Sequence, residues 1–158
     1  MAASPIRTIR NLWKRLGGSA TGRRLFAFLV GRAIPYTGTI RARVDQLEAG
    51  RAVVVMRDRR KVRNHLASVH AIALANVLEF ATGLAFNMAM PEGARAIVTR
   101  FEVEYLKKAR GTLTASCTCE APSPDEERDY VVTGQVENTT GEVVARGIAH
   151  WRVRPAGR

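Results

Sequence analysis

Hydrophobic residues near the amino terminus follow a helical period. Apolar positions recur every three or four residues, with basic residues on the opposite face: Ile6, Ile9, Leu12, Trp13 and Leu16. This pattern predicts an amphipathic helix. A Gly-Gly pair ends it, Thr21 is predicted to cap a second helix, and Pro35 ends that helix near Ile34. We therefore predict an N-terminal helical extension over residues 1–37.

From residue 38 onward the pattern is that of strands around one long helix. Residues 39–47 and 52–56 are rich in alternating and β-branched positions, and an apolar stretch over residues 69–90 stops at Pro91-Glu92-Gly93. Four further strands are predicted at residues 96–107, 113–120, 130–137 and 143–153. A helix that is apolar nearly all round must be covered on most sides. The order therefore predicts an α+β domain in which an antiparallel sheet of about six strands wraps around a central helix.

The central apolar stretch is also long enough to cross a bilayer. Four residues that suit a membrane span poorly interrupt it: Asn76, Glu79, Gly83 and Asn87. We expect a core helix instead.

Composition limits the function classes. The chain has 158 residues with 46% hydrophobic and 25% charged, values typical of a single soluble domain. Cys117 and Cys119 are separated by one residue, a poor spacing for a mutual disulfide, and no zinc-type cluster accompanies them. We expect a cytoplasmic protein without a metal or an organic cofactor.

The formal net charge is +11, and it is unevenly distributed. Nine basic residues precede Asp45, the first acidic one, and a second group follows at Arg57, Arg59, Arg60, Lys61 and Arg63. Such a field attracts nucleic acid, acidic lipid, acidic proteins or phosphorylated small molecules, or it is a solvated face that keeps the protein soluble. The basic N-terminal helices could contact a membrane surface, or pack their apolar side on the domain.

One carboxylate lies in the apolar helix. At helical spacing, one face carries Ile72, Asn76, Glu79, Gly83 and Phe86. Burial would raise the pKa of Glu79 toward that of a general base. The start of the helix, about two turns away, offers unpaired backbone N–H groups for a developing oxyanion. The alternative is a structural ion pair between Glu79 and an arginine.

The spacing of Asn64, His70 and Glu79 resembles the active-site segment of hotdog-fold thioesterases of the phenylacetate-pathway branch. Residues 105–111 are similar to the end of the strand that follows the helix in that family. The PYTG stretch and Arg63-Asn64-His65 further resemble a bacterial hotdog subfamily of unknown function. The resemblance implies a hotdog domain over residues 38–158.

The resemblance also implies roles. Glu79 matches the acid that acts as general base or nucleophile, and Ala71 matches the glycine whose N–H polarises the thioester carbonyl. Asn64 and His70 match positioning residues, and Thr99 is the nearest counterpart of a downstream Ser or Thr. In that family two subunits build each site, so a homodimer is implied, and pairing of dimers into tetramers is left open.

The leading hypothesis is an acyl-thioester hydrolase that acts on coenzyme A or acyl-carrier thioesters. The substrate would lie along Ile72, Asn76 and Gly83, with its phosphates near the basic residues 57–63. The alternative is a non-catalytic acyl or acyl-CoA-binding protein, which the replacement of the family's two glycines by Ala71 and Ile72 favours.

Two other functions are disfavoured. A hydratase on the same fold uses a differently spaced motif that the chain lacks. Nucleic-acid binding rests on charge alone, because no recognition motif is present and aromatic residues make up only 6%.

Overall fold

The computed structural model describes residues 5–123 and 125–155, and it begins with three helices. These are α1 (Pro5–Leu16), α2 (Ala20–Ala33) and α3 (Pro35–Gly38). The cap of α2 is Ser19, whose Oγ accepts a hydrogen bond from the Gly22 amide at 3.0 Å. The predicted cap, Thr21, is therefore wrong by two positions, and it lies within the first turn of α2.

The remaining elements form one sheet and one long helix. In chain order they are β1 (Arg43–Glu48), β2 (Arg51–Met56), a 3₁₀ turn (Arg60–Val62), α4 (Ala71–Ala89), β3 (Arg95–Tyr105), β4 (Leu113–Thr118), β5 (Arg128–Glu137) and β6 (Val143–Arg154). Six strands in the described residues pair antiparallel in the order β1-β2-β4-β5-β6-β3. The predicted hotdog architecture is confirmed, with β1 and β3 at the two edges of the sheet.

β1 begins later than its sequence pattern predicts, at Arg43 instead of residue 39. The chain turns before it, since Arg41 has a φ of 47°, in the left-handed region that no strand uses. Ile40 is nevertheless 2% exposed. Its burial in a turn produces an apolar signal that resembles strand alternation.

The helix α4 packs on the inner face of the sheet, and two glycines allow its close approach. Gly134 and Gly147 face each other across β5 and β6. A Cβ on Gly147 would lie 3.2 Å from Cβ of Leu78 on α4, closer than ordinary packing. By length and composition alone α4 could cross a membrane, but 67% of its most apolar stretch is buried inside the protein. It is the core helix that the sequence predicts.

The helix α1 lies over the far end of α4. Its apolar residues, from Ile6 to Leu16, pack on the core, and the rings of Trp13 and Phe26 meet edge to face with centroids 5.0 Å apart. The Arg10 guanidinium donates to carbonyl oxygens at the carboxyl end of α4, those of Asn87 at 3.1 Å and Met88 at 3.0 Å among them. The apolar side of α1 therefore packs on the domain. The boundary between residues 37 and 38 stays a prediction.

Candidate active site

Glu79 borders a small apolar cavity at the junction of α1, α3, α4 and β6. The cavity has a volume of about 110 Å³. Its walls combine residues from all of these elements: Ile6, Ile9, Ile34, Thr37, Phe80, Gly83, Leu84, Asn87, Met88 and Trp151. Because α1 and the α2–α3 junction supply one side, the N-terminal helices are part of this site.

The Glu79 carboxylate has no protein partner in residues 5–123 and 125–155. Among these residues none forms a hydrogen bond or a salt bridge with the carboxylate. The alternative prediction, a structural ion pair between Glu79 and an arginine, is therefore not observed in the described residues. Burial raises the pKa of the Glu79 carboxyl above its ordinary value, because desolvation penalises the charged form. A half-buried carboxylate without a counter-ion has the properties of a general base.

The missing side chain of Gly83 leaves room for about one methyl group between the Glu79 carboxylate and Trp151. Oε1 of Glu79 lies 3.7 Å from the position that a Cβ on Gly83 would take, and Cζ2 of Trp151 lies 3.6 Å from it. The Trp151 indole N–H is buried and has no hydrogen-bond partner among the described residues. An unpaired buried donor costs about 1–3 kcal/mol, so a polar ligand atom that reached it would be stabilised.

At the start of α4, the His70 side chain caps the helix, whereas the backbone amide of Ala71 is unpaired among the described residues. His70 caps the helix, with Nδ1 accepting from the Ile72 amide at 3.1 Å. The Ala71 amide forms no hydrogen bond within the described part of the chain, and the Tyr105 hydroxyl holds the Ala71 carbonyl at 3.0 Å. Ile72 is 53% exposed and lies outside the Glu79 cavity. An unpaired backbone N–H at a helix start is the type of donor that oxyanion sites use, and this role of Ala71 stays a prediction.

Glu79 and Ala71 of one subunit do not converge. Eight residues separate them on α4, a rise of about 12 Å. The carboxylate is also turned toward Gly83, one turn further from Ala71. One substrate carbonyl therefore cannot contact both groups of an isolated subunit, and the roles of Glu79 and Ala71 stay predictions.

Asn64 has a structural contact. Its Oδ1 accepts from the Leu66 amide at 2.9 Å, the Ser68 amide at 3.2 Å and the Ser68 hydroxyl at 3.1 Å, which closes the turn before α4. These contacts occupy the side-chain oxygen of Asn64, and its predicted role in positioning a substrate carbonyl or a water stays a prediction.

Asn76 and Thr99 also lie outside the cavity. Asn76 donates from Nδ2 to the Tyr36 carbonyl at 3.0 Å, which fixes α3 on α4. Thr99 is exposed at a bulge in β3 and donates to the His150 carbonyl at 3.2 Å. Of the predicted substrate-contacting residues on α4, only Gly83 lines the cavity.

The basic residues at positions 57–63 have different surroundings. Arg63 forms a bidentate pair with Asp58 at 2.6 and 3.2 Å, and Arg59 donates to the Ile40 carbonyl at 2.7 Å. Arg57 and Arg60 are exposed. Lys61, together with Arg59, lines a second and larger depression.

This basic groove, of about 1040 Å³, runs between α2, α3 and β1. Its cations come mostly from the N-terminal third of the chain: Arg24, Arg32, Arg41, Arg43, Arg59 and Lys61. Thr37 and Phe80 line both the groove and the Glu79 cavity, so the two are neighbours. Sequence reasoning missed the convergence of these arginines, although the acid-free stretch before Asp45 contained the signal.

Comparison with known proteins defines the family. A model described as "Domain of unknown function (DUF4442)" matches residues 22–153. The chain belongs to this family. A search of curated proteins found no match.

Solved structures share the fold. The structural-genomics protein APC5556 is 28% identical, over 94% of this chain and 98% of its own, with a TM-score of 0.82. A protein of unknown function from Pseudomonas aeruginosa, named a probable thioesterase, is 22% identical over 81% and 92%, with a TM-score of 0.73. A thioesterase family protein from Silicibacter pomeroyi is 23% identical over 81% and 95%, with a TM-score of 0.68. These structures confirm the predicted hotdog fold, and two of them are named as thioesterases.

Proposed function

We propose that this DUF4442 protein hydrolyses acyl thioesters, with Glu79 as the base or nucleophile. The observation that carries the proposal is a desolvated, unpaired carboxylate that borders an apolar cavity. The names of structurally similar proteins, which include thioesterases, support the same reaction class.

As a general base, Glu79 takes a proton from water while the water oxygen attacks the thioester carbonyl carbon. The carbonyl oxygen becomes an oxyanion, which a backbone N–H stabilises, and the C–S bond then breaks. The thiolate leaves and accepts a proton, and the acyl group leaves as a carboxylic acid. If Glu79 attacks directly, an anhydride forms first and water hydrolyses it.

A homodimer is part of this proposal, since one subunit does not bring Glu79 and Ala71 together. β3 is an 11-residue edge strand, and Ile97 on it is 66% exposed. Such an edge favours pairing with a second strand. We propose that an antiparallel pair of β3 strands joins two copies and brings α4 of each copy near the site of the other.

The basic groove is suited to the phosphorylated end of the donor. Coenzyme A carries a pyrophosphate and a 3′-phosphate, and the cations of the groove lie beside the wall that Phe80 and Thr37 share with the cavity. This arrangement supports a substrate whose anionic end lies in the groove and whose acyl end enters the cavity. An acidic carrier protein is the other donor of this class.

The decisive experiment is a panel of acyl-CoA and acyl-carrier thioesters of increasing chain length. Glu79→Ala should lower kcat by at least about a hundredfold while the circular dichroism spectrum is unchanged. Glu48→Ala, which alters an exposed glutamate on β1, is the matched control and should retain full turnover. Full activity of both Glu79→Ala and Glu79→Gln on the best substrate would refute the mechanism.

The second candidate is a non-catalytic acyl-CoA-binding protein. Ala71 and Ile72 stand where the family pattern has two glycines, and their side chains limit how closely a thioester approaches the helix start. An acyl ligand that co-purifies and is detected by mass spectrometry, with no hydrolysis at any chain length, would select this function.

A further inference from the structure

The helix α2 carries a row of exposed hydrophobic side chains, which we call the apolar stripe. Leu25 is 47% exposed, Phe28 65% and Leu29 37%. Their positions place them on one side of the helix, turned away from the side that carries the buried Phe26 and Val30. Single exposed leucines are ordinary, but three adjacent large side chains on one short helix form a patch that favours a partner.

Cations flank the apolar stripe. Arg24 and Arg32, both exposed, lie on the same helix, and Arg41 and Lys61 line the adjoining basic groove. None of these four forms a salt bridge with another described residue. The sequence has no acidic residue before Asp45, and Arg43 already holds Asp45.

The positive charge around the apolar stripe indicates which kind of partner binds it. A second copy of this chain would bring two sets of arginines together, which opposes association. A bilayer with acidic headgroups instead offers phosphates to the arginines and an apolar boundary to the leucines and the phenylalanine.

We propose that α2 docks the protein on anionic phospholipid surfaces. Leu25, Phe28 and Leu29 insert at the boundary of headgroups and acyl chains, and Arg24 and Arg32 contact the lipid phosphates.

The position of α2 in the fold fits this role. It packs on β1, at the opposite edge of the sheet from β3, so docking leaves the β3 edge free. Phe28 lines the basic groove, and the groove adjoins the Glu79 cavity through Phe80. The docked protein would present the groove toward the lipid, and docking does not require that the protein hydrolyse thioesters.

Vesicle sedimentation of the full chain tests the proposal. Vesicles of phosphatidylcholine alone are compared with vesicles in which about half of the lipid is phosphatidylglycerol. We expect binding to the anionic vesicles only, weakened by salt. Arg24→Gln with Arg32→Gln should weaken the apparent Kd about twentyfold. Phe28→Ser should weaken it about tenfold, and Leu25→Ser should also weaken it.

Matched controls change the same side-chain types elsewhere. Val131→Ser replaces an exposed residue on β5, at 60% exposure, and Arg51→Gln with Arg95→Gln removes two exposed cations on the sheet. These variants should bind as the wild type does.

Each contrary outcome overturns the proposal. Absence of binding, equal binding to neutral vesicles, or an equal loss in the controls would do so. Loss in the arginine variants with none in Phe28→Ser would mean that no apolar insertion occurs. If Phe28→Ser instead lowers the oligomeric mass in solution, measured by light scattering, a second copy covers the stripe.

Discussion

Oε1 of Glu79 lies 3.7 Å from the point where a Cβ on Gly83 would be. An alanine at residue 83 therefore fits at ordinary van der Waals distance and also occupies space beside the carboxylate. Alanine is favoured over glycine inside a helix by about 1 kcal/mol. We predict that Gly83→Ala raises the melting temperature by about 2–4 °C and lowers kcat/KM, as measured by thermal unfolding and thioester turnover.

Gly147→Ala is the control for this prediction. Its Cβ would lie 3.2 Å from Cβ of Leu78 and 3.3 Å from Cζ of Phe101, so α4 and the sheet must separate slightly. The melting temperature should fall. If Gly83→Ala is stabilised and fully active on every substrate, the space beside Glu79 is not a substrate site.

The pH dependence of stability reports the state of Glu79. Its pKa is raised in the folded protein by desolvation, so between the unfolded and folded pKa values the folded state binds more protons. The free energy of unfolding then falls as the pH rises through this interval. Glu79→Gln removes the titration, so its stability relative to wild type should increase as the pH rises from about 4, near the ordinary pKa of glutamate, through the raised pKa of the folded protein.

Urea unfolding of wild type and Glu79→Gln across that pH range makes the measurement. Gln46→Ala, which alters an exposed side chain that does not titrate, should show no such trend. A difference between Glu79→Gln and wild type that is independent of pH would mean that the carboxylate is solvated. In the active enzyme, kcat/KM should rise with pH through the same raised pKa, because the base must be ionised.

Subunit mixing tests whether two copies build the site. Ala71→Pro removes the proposed oxyanion donor with little strain, since proline is favoured at the first helical position. His70 already has the extended backbone, with φ −64° and ψ 142°, that a residue before proline requires. We predict that Ala71→Pro and Glu79→Ala are each inactive as pure proteins.

Refolded together, the two variants should recover about a quarter of wild-type turnover, because half of the dimers are mixed and each has one intact site. A control mixture of Glu79→Ala with Glu79→Gln should recover nothing. Recovery that fails in confirmed mixed dimers would place both groups in one subunit, contrary to the rise of about 12 Å that separates them on α4.

The accuracy of the sequence predictions depends on how local the signal was. For α4 and β2 the apolar run in the sequence coincides with the buried element itself. The bounds of both elements were therefore predicted within two residues. The start of β1 was predicted four residues too early, because the buried Ile40 belongs to a turn and not to the strand.

The candidate site shows the same division. Glu79 was identifiable because a charge in an apolar helix is a local anomaly. The contact of Asn76 with the Tyr36 carbonyl spans 40 positions, and the basic groove joins Arg24 to Lys61 through the packing of three elements. No spacing rule predicts contacts of that range.

Arg10 links the N-terminal helix to the environment of Glu79. Its guanidinium holds the carbonyls of Asn87 and Met88, and Ile6 and Ile9 of the same helix line the cavity. Arg10→Met removes charge-assisted bonds to the end of α4, so the free energy of unfolding should fall by about 1–3 kcal/mol. Lys14→Met, on the exposed side of α1, should have little effect.

A loosened α1 would also admit water to the cavity and reduce the desolvation of Glu79. Glu79→Gln is expected to change stability in a pH-dependent way. We predict that this pH-dependent change is smaller when Glu79→Gln is made in the Arg10→Met protein than when it is made in the wild type. Urea unfolding of the four proteins would measure this change. If Arg10→Met lowers stability yet leaves that difference unchanged, α1 stabilises the fold without keeping water from the carboxylate. The raised pKa would then arise from α4 and the sheet alone.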